Sequence, residues 1–203
     1  MDSKQQSVMG RPRGFDAEAA LERALLVFWE HGYEGATLTD LTTAMGITRT
    51  SMYAAYGNKE ELFRKALARY TEGPASYVAK ALEEPTARAV AQALLNGAVR
   101  ATTRPDRPAG CLGVQGALAA GAPAQPAQQA LIAWRQDGGE AIRARFERAV
   151  VDGDLPPDTD PAHLARYATT LAYGISVQAA SGVSREDLQQ IADSALLNWP
   201  PTP

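Results

Sequence analysis

The sequence contains little cysteine and little histidine, with one cysteine and two histidines among 203 residues. A single cysteine excludes an internal disulfide framework and favours a reducing compartment, so we expect a cytoplasmic protein. The two histidines, His31 and His163, stand far apart and lack the spacing to other His, Cys, Asp or Glu residues that holds a metal ion. We therefore expect neither a metal site nor a cofactor.

Long apolar runs are also missing. No stretch approaches the roughly 20 apolar residues that span a bilayer, and the polar first ten residues lack the apolar core of a signal peptide. We expect no contact with a membrane. The net charge is -3, which argues against a protein coated in nucleic acid. Residues 1–70 hold nine Lys/Arg and nine Asp/Glu, so a nucleic-acid contact there must gather its few cations on one face.

The common signatures of enzymes are absent as well. The glycines at 110, 113 and 116 lack the lysine and the preceding strand of a phosphate-binding loop. No serine stands in the pattern of a nucleophile elbow. We therefore expect that the protein is not an enzyme.

What the sequence does contain is helical pattern. Alanine is abundant and clusters of β-branched residues are scarce, which predicts an all-α fold. Prolines and glycines mark the joints between helices. The expected helices include about 16–31, 59–73, 75–84, 86–103, 107–121, 125–152, 161–182 and 184–198. We divide the chain into a disordered basic arm (1–14), a first domain (15–58) and a larger helical domain (59–203).

The most informative segment lies between residues 32 and 57, where a glycine turn joins two short helices. Thr39 is expected to cap the first of them, and Gly46 to end it with positive φ. Thr48 or Thr50 is expected to cap the second, which begins with small polar residues and Arg49. This pattern is typical of a helix-turn-helix, which lays its second helix in the major groove of DNA.

Residues 15–65 resemble the DNA-binding domain of the tetracycline-repressor (TetR/AcrR) family of bacterial transcription regulators. The resemblance implies an N-terminal three-helix helix-turn-helix domain and a C-terminal helical bundle for ligand binding and dimerisation. It also implies a homodimeric repressor that binds a palindromic double-stranded DNA operator and is released by a small-molecule effector. The matching residues are Gly32, Tyr33, Thr37, Leu41, Gly46, Ile47, Thr48, Ser51, Met52, Tyr53, Tyr56, Lys59, Glu60 and Leu62.

Two positions depart from the family pattern: Ala55 replaces a common phosphate-binding histidine, and Thr42 replaces the usual alanine. The basic arm with Arg11 and Arg13 is the expected substitute for the missing phosphate contact. Arg49 is the expected base reader, because arginine can bind guanine O6 and N7 together. Hydroxyl groups and the first turn of the fourth helix suit phosphate oxygens. The expected DNA contacts are Arg11, Arg13, Thr39, Thr48, Arg49, Thr50, Ser51, Tyr53, Ala54 and Lys59.

The last two helices are apolar on more than one side, so they need more than one packing partner. The resemblance implies that they pair across a twofold axis into a four-helix bundle. The expected interface residues are Leu164, Ala168, Leu171, Ile175, Val177, Leu188, Ile191, Ala195 and Trp199.

The middle helices, over residues 86–152, are expected to enclose a mainly apolar ligand cavity. The glycines within 110–118 cost helix stability, about 1 kcal/mol each against alanine, which close helix approach or room for a ligand would explain. The apolar neighbours of Cys111 indicate a buried thiol rather than a redox sensor. The expected lining residues are Tyr77, Asn96, Cys111, Gln115, Trp134, Phe146, Tyr167 and Tyr173.

One alternative remains open from the sequence, a helical interaction module or adaptor that has lost DNA binding. The neutral N-terminal part and Ala55 both favour it. A DNA affinity that falls steeply as the salt concentration rises distinguishes a DNA-binding protein from such a module.

Overall fold

The computed structural model describes residues 15–118 and 121–200, and all regular secondary structure within these ranges is helical. This confirms the all-α prediction. Arg11 and Arg13 lie outside the described residues. Within the described ranges, no helix combines the length and apolar character that a membrane span requires. A short 3₁₀ turn precedes α8; the helices are α1 (Ala17–Gly35), α2 (Leu38–Met45), α3 (Arg49–Tyr56), α4 (Lys59–Glu72), α5 (Tyr77–Leu82), α6 (Ala87–Thr102), α7 (Leu112–Gln115), α8 (Gln125–Val151), α9 (Pro161–Ala180) and α10 (Arg185–Leu197).

The first three helices form a head whose core is completed by α4. Phe63 of α4 lies edge-on to Phe28, with 5.1 Å between ring centroids, and edge-on to Tyr33, at 5.2 Å. Leu41 and Met52 are fully buried from the other side of the same core. The fourth helix also packs against α8 in the rest of the molecule. It is therefore a shared element of the head and the body.

The body, α5 to α10, is built around α6. This helix packs against α5, α9 and α10, and its apolar residues are buried on several sides. Phe146 of α8 and Leu188 of α10 belong to the same apolar cluster, where Trp199 lies 5.7 Å from the Phe146 ring. The last two helices therefore bury one face inside the protomer before any second copy is considered.

The predicted cap of α2 is wrong by two residues. The helix begins at Leu38, and Thr37 caps it: the Thr37 hydroxyl accepts from the Asp40 amide at 3.1 Å. In return, the Asp40 carboxylate accepts from the Thr37 amide at 3.0 Å. The Thr37 hydroxyl also donates to this carboxylate, at 2.5 Å, and this hydrogen bond together with the one from the Thr37 amide lowers the pKa of Asp40. The reciprocal pair satisfies two amides at the helix start, which Thr39 in the first turn cannot do.

The predicted helix over 107–121 is also wrong, since only Leu112–Gln115 is helical within the described part of that stretch. Pro105 and Pro108 supply no backbone donor, so the chain crosses the head as a loop before α7 begins. The predicted helix 16–31 extends to Gly35, but Gly32 at φ 67° interrupts it close to the expected end.

The loop and α7 attach the body to the head at several points. The Trp29 indole donates to the carbonyl of Gly110 at 3.2 Å, and the Tyr33 amide donates to the carbonyl of Gly116 at 2.8 Å. An ion pair joins Arg107 of the loop to Glu22 of α1. The segment 103–118 thus forms a second connection between head and body beside α4.

Candidate nucleic-acid interface and ligand cavity

One face of α3 is fixed to the head. Gly46 adopts φ 68°, which confirms the predicted turn, and the Thr48 hydroxyl caps α3 by accepting from the Ser51 amide at 3.1 Å. Met52 and Tyr56 are buried, and the Tyr56 hydroxyl donates to the carbonyl of Ala17 at 2.6 Å. These contacts set both the start and the rotation of the helix.

The opposite face of α3 is open. Arg49, Thr50 and Ala54 are exposed, and the Tyr53 side chain is 47% exposed. The guanidinium of Arg49 donates to the hydroxyl of Thr39 at 3.0 Å, so the structure brings these two predicted DNA contacts together across α2 and α3. A short helix with one face packed against the domain core and an arginine and small polar residues on its exposed face matches the geometry of a helix that reads a major groove.

Lys59 lies beside this face as the first residue of α4, in an environment that the sequence did not indicate. Its ammonium lies 4.5 Å from the centroid of the Tyr33 ring, a cation–π contact. Burial lowers the pKa of Lys59, partly offset by the charge of Glu34. Asn58 caps the helix by accepting from the Glu61 amide at 2.9 Å. The Lys59 ammonium is therefore held at a fixed place near the helix N-terminus, and its phosphate contact stays a prediction.

A cavity of about 350 Å³ lies in the body, bounded by α4, α5, α6, α8, α9 and the residue before α7. Four of the eight predicted residues line it, namely Tyr77, Cys111, Trp134 and Tyr173. Polar side chains that the sequence analysis missed also line it, because their helical faces cannot be assigned without the tertiary structure: Thr71, Asp137, Thr169 and Ser176.

The other four predicted lining residues do not line this cavity. Asn96 accepts from Gln189 of α10 at 2.7 Å, and Gln115 accepts from the Cys111 amide at 3.0 Å. Phe146 is fully buried in the protomer core, and Tyr167 packs against Trp199 there. Residue type alone predicts these four residues at the cavity, but their contacts lie outside its lining.

Two glycines make room for the aromatic walls of the cavity. A Cβ on Gly97 would lie 2.2 Å from the Tyr77 ring, and a Cβ on Gly113 would lie 2.3 Å from the Trp134 ring. Both distances are shorter than any real contact, so the rings occupy space that only glycine leaves. For Gly113, this close approach explains a glycine that the sequence had indicated as costly for a helix.

The thiol at the inner end of the cavity is buried and paired. The Tyr70 hydroxyl donates to Sγ of Cys111 at 3.1 Å. Burial raises the pKa of Cys111 despite this hydrogen bond, and burial likewise raises that of Tyr70. A protonated, enclosed thiol is a weak nucleophile, which agrees with the predicted structural role of Cys111.

Comparison with known proteins assigns the chain to a family. The family model of bacterial regulatory proteins, tetR family, matches residues 20–66. A second model, the tetracyclin repressor-like C-terminal domain, matches residues 89–194. The chain is 32% identical over 193 residues to the HTH-type transcriptional repressor ComR of Escherichia coli, covering 94% of this chain and 92% of ComR. The chain belongs to the TetR family.

Two further proteins are similar over more than nine-tenths of the chain. The HTH-type transcriptional regulator YezE of Bacillus subtilis is 33% identical over 194 residues, covering 93% of this chain and 98% of YezE. A solved structure of a cysteine mutant of the TetR family regulator CifR, complexed with 26 bp operator DNA, is 43% identical. It superposes with a TM-score of 0.90, covering 94% of this chain and all of that chain. The resemblance seen in residues 15–65 is therefore confirmed, and it extends to the body.

In this TetR-family protein, most of the predicted interface residues fill the protomer core. Six of them are at most 9% exposed, because α9 and α10 pack on α6: Leu164, Ala168, Ile175, Leu188, Ala195 and Trp199. Ile191 and Val177 remain on the surface, 53% and 43% exposed, and Leu171 is half-buried. The predicted interface residues therefore divide into a buried set and an outer set of Leu171, Val177 and Ile191.

The outer set lies in two surface grooves that share Gly174. A groove between α9 and α10 is lined by Leu171, Gly174 and Ile191. An adjoining groove is lined by Val177 of α9, Ile132 of α8, and Leu118, which precedes α8. We call this surface the α8–α10 face, with these six residues. Nothing within 4 Å would meet a Cβ on Gly174, so its side of α9 is open.

Proposed function

We propose that this protein is a transcriptional repressor that binds operator DNA as a homodimer and leaves it when a small molecule occupies the cavity. The observation that carries the proposal is the open face of α3, with Arg49 exposed at its start and Thr39 beside it. Support comes from CifR, 43% identical to this chain, whose structure is complexed with operator DNA.

The residues on the open face take different roles in this proposal. Arg49 reads a guanine edge, while Thr50 and Ala54 contact a base edge or a thymine methyl. The hydroxyls of Ser51 and Tyr53 bind phosphates and set the register of the helix in the groove. Thr39, Thr48 and Lys59 add contacts to the DNA backbone. Arg11 and Arg13 add further phosphate contacts, which replace the one that Ala55 cannot make.

Two copies of α3 are required to read a palindrome, about 34–36 Å apart. A twofold interface uses the same surface patch on both copies, and we assign this role to the α8–α10 face, whose two grooves lie on the outer side of the protomer. Four of its residues are each at least 40% exposed in the single chain: Leu118, Ile132, Val177 and Ile191. We assign them to the dimer interface.

The effector acts through elements that join the cavity to the head. Thr71 of α4 lines the cavity, while Lys59 at the other end of α4 lies against the head. Cys111 lines the cavity next to Gly110, which accepts from Trp29 of the head. A ligand that binds better when the two heads are set apart shifts the population away from the DNA-bound arrangement.

The proposal places the protein in the cytoplasm with the DNA it reads and gives it no catalytic role. Its relatives ComR and YezE are transcription regulators, which supports both statements. Within the described residues, no three His, Cys, Asp or Glu side chains gather into a metal-binding group.

Selection from random double-stranded DNA tests the DNA reading. We expect the full chain to enrich an inverted repeat with half-sites one helical turn apart. The variant Arg49→Ala should enrich a less defined site, whereas Arg143→Ala, on the exposed side of α8, should enrich the same site. Absence of any enriched sequence would favour the alternative, a helical interaction module without DNA binding.

A further inference from the structure

We propose that the cavity binds a compact, uncharged and largely apolar molecule that carries one oxygen acceptor, bound by the hydroxyls of Tyr77 and Tyr173. This inference rests on the proposed function only in that it takes the cavity to be the effector site. The chemistry of the ligand follows from which cavity groups are already paired and which are not.

The size and surface of the cavity set the first limit. Its volume of about 350 Å³ lies at the small end of ligand sites, which range over roughly 300–1,000 Å³. Most of its wall consists of aliphatic and aromatic side chains. The rings of Tyr77 and Trp134 pack directly against Gly97 and Gly113, where a larger residue would not fit. Such a wall favours an apolar body of the size of one or two fused rings. The aliphatic part includes Val78, Leu82, Leu94, Ile142 and Ala172.

Most hydroxyl groups around the cavity already have partners. Thr71 donates to the carbonyl of Leu67 at 2.9 Å and accepts from the Trp134 indole at 2.8 Å. Thr169 and Ser176 each donate to the carbonyl four residues earlier in α9, at 2.9 and 2.8 Å. Hydroxyls bound to their own helix are poor recognition groups, because a ligand must compete with that hydrogen bond.

The tyrosine hydroxyls are different. Within the described ranges, the hydroxyls of Tyr77 and Tyr173 have no hydrogen-bond partner in the protein, and neither is sealed from solvent. Both rings line the cavity, and both lie near Cys111. Burial raises the pKa of Tyr77 and of Tyr173, so both phenols stay protonated and can donate. Two unpaired donors at one apolar cavity match a ligand oxygen with two lone pairs, such as a ketone carbonyl.

The lining groups of the cavity disfavour ionic ligands. Among the described residues, no lysine or arginine lines the cavity, and its one ionisable carboxylate, Asp137, is exposed at the edge. The nearby Arg135 donates to the carbonyl of Gly113 at 2.7 Å and lines the outer groove instead. An anion would therefore lose its hydration without gaining a cation among the lining residues. A quaternary ammonium accepts no hydrogen bond and would leave both phenols unpaired.

A matched series of naphthalenes tests the inference by calorimetry on the full chain without DNA. The probes are 2-acetylnaphthalene, 2-ethylnaphthalene, 2-naphthoate and trimethyl(2-naphthyl)ammonium, which share the ring and differ in the group that meets the phenols. We expect the ketone to bind most tightly, and the carboxylate and the ammonium to bind at least about tenfold more weakly. Equal or tighter binding of either ion, or no binding of the ketone, would overturn the inference.

Single-atom variants locate the hydrogen bonds. Tyr77→Phe and Tyr173→Phe keep the ring and remove the donor, so each should weaken the ketone about 3- to 10-fold and leave 2-ethylnaphthalene unchanged. Tyr167→Phe removes a hydroxyl outside the cavity and should change neither. Thermal unfolding of each variant checks that the fold is intact. Unchanged ketone affinity in both cavity variants would refute the assignment.

The outcomes separate this inference from the proposed function. Operator binding of the same preparations is measured independently with the selected DNA. Ketone binding without any DNA binding would keep the ligand class and contradict the repressor. DNA binding with no preference for the neutral ketone would keep the repressor and contradict the ligand class.

Discussion

Under the proposed function, Arg49 exchanges one hydrogen bond for another when DNA binds. In the free protein its guanidinium donates to the Thr39 hydroxyl at 3.0 Å, which holds a long side chain over the open face of α3. Arg49 is exposed, so exchanging this hydrogen bond for a base edge costs little desolvation beyond that of the base. When Arg49 turns to a base, the Thr39 hydroxyl becomes available to a phosphate.

We expect Arg49→Ala to lose about 1–3 kcal/mol of discrimination at one base pair in each half-site, the amount carried by a bidentate arginine contact. Thr39→Val keeps the arginine, so it should weaken all sequences by a similar small factor. Competition binding with single-substitution duplexes measures both. Equal losses at every base pair for Arg49→Ala would show that Arg49 contacts only the backbone.

Gly113 gives a prediction about stability at the residue scale. Gly113→Ala places a Cβ 2.3 Å from the Trp134 ring, and the ring must move. Overpacking of this kind costs about 1–3 kcal/mol, measured as the free energy of unfolding in urea. Gly139→Ala is the matched control, since nothing lies within 4 Å of its Cβ and alanine favours the helix there. A Gly113→Ala variant as stable as the wild type would contradict the close approach.

At the scale of elements, an ion-pair cluster joins the three segments that meet between head and body. Glu22 of α1 accepts from Arg107 of the loop before α7 and, at 3.1 Å, from Arg69 of α4. Arg69 also reaches Glu18 at 3.3 Å. One carboxylate therefore ties both connections of the head to the body, α4 and the segment 103–118, to the same point of α1.

The pKa of Glu22 sets the pH at which this cluster weakens. Burial raises the pKa of Glu22, but hydrogen bonds and charge from Arg107 and Arg69 outweigh it, so the pKa lies below its usual value of 4.5. A lowered pKa stabilises the fold above about pH 4.5, and this contribution disappears as the pH falls through the lower folded value. Because the pair is partly exposed, its contribution is about 1 kcal/mol or less.

We expect Glu22→Gln to flatten the decline of unfolding free energy between neutral pH and about pH 3, since the variant has no carboxylate to protonate. Urea unfolding at a series of pH values measures the slope. Glu147→Gln, which removes an exposed partner of Arg143, should leave the slope nearly unchanged. Identical slopes for wild type and Glu22→Gln would show that the cluster does not contribute to folding.

The elements also show what the sequence can and cannot predict. The glycine turn at Gly46 and the break after Glu72 are local events that residue types specify, and both were predicted. The start of α2 is not predicted correctly, because Thr37 and Thr39 are equally good caps until the hydrogen bond from the Thr37 amide to the Asp40 carboxylate is considered. The sequence predicts a helix in place of the loop before α7, because the hydrogen bonds that hold this loop on Trp29 and Glu22 join residues far apart in the sequence.

For the whole molecule, the sequence predicts two apolar sides for α9 and α10, but it does not distinguish the side in the core from the side at an interface. Leu164 and Trp199 belong to the protomer core, while Ile191 is 53% exposed on the outer side. The same limit applies to the cavity: Tyr77 and Phe146 are similar residues in sequence, and only packing places the first at the cavity and the second in the core.

The α8–α10 face yields a prediction for assembly. Ile191→Asp places a charge at the centre of the proposed interface, so the protein should become monomeric at micromolar concentration and lose most operator affinity. Val151→Asp is the matched control, because Val151 is 85% exposed at the end of α8, outside this face. Analytical ultracentrifugation measures the mass. A dimer that survives Ile191→Asp would place the interface elsewhere.

The central claim is that paired copies of α3 read DNA, and the salt dependence of operator affinity tests it most directly. Fluorescence anisotropy with the selected duplex should show two chains per duplex and an affinity that falls steeply and log-linearly with salt, as phosphate contacts release counterions. A scrambled duplex of the same length should bind at least about a thousandfold more weakly. An affinity that changes neither with salt concentration nor with DNA sequence would contradict the claim.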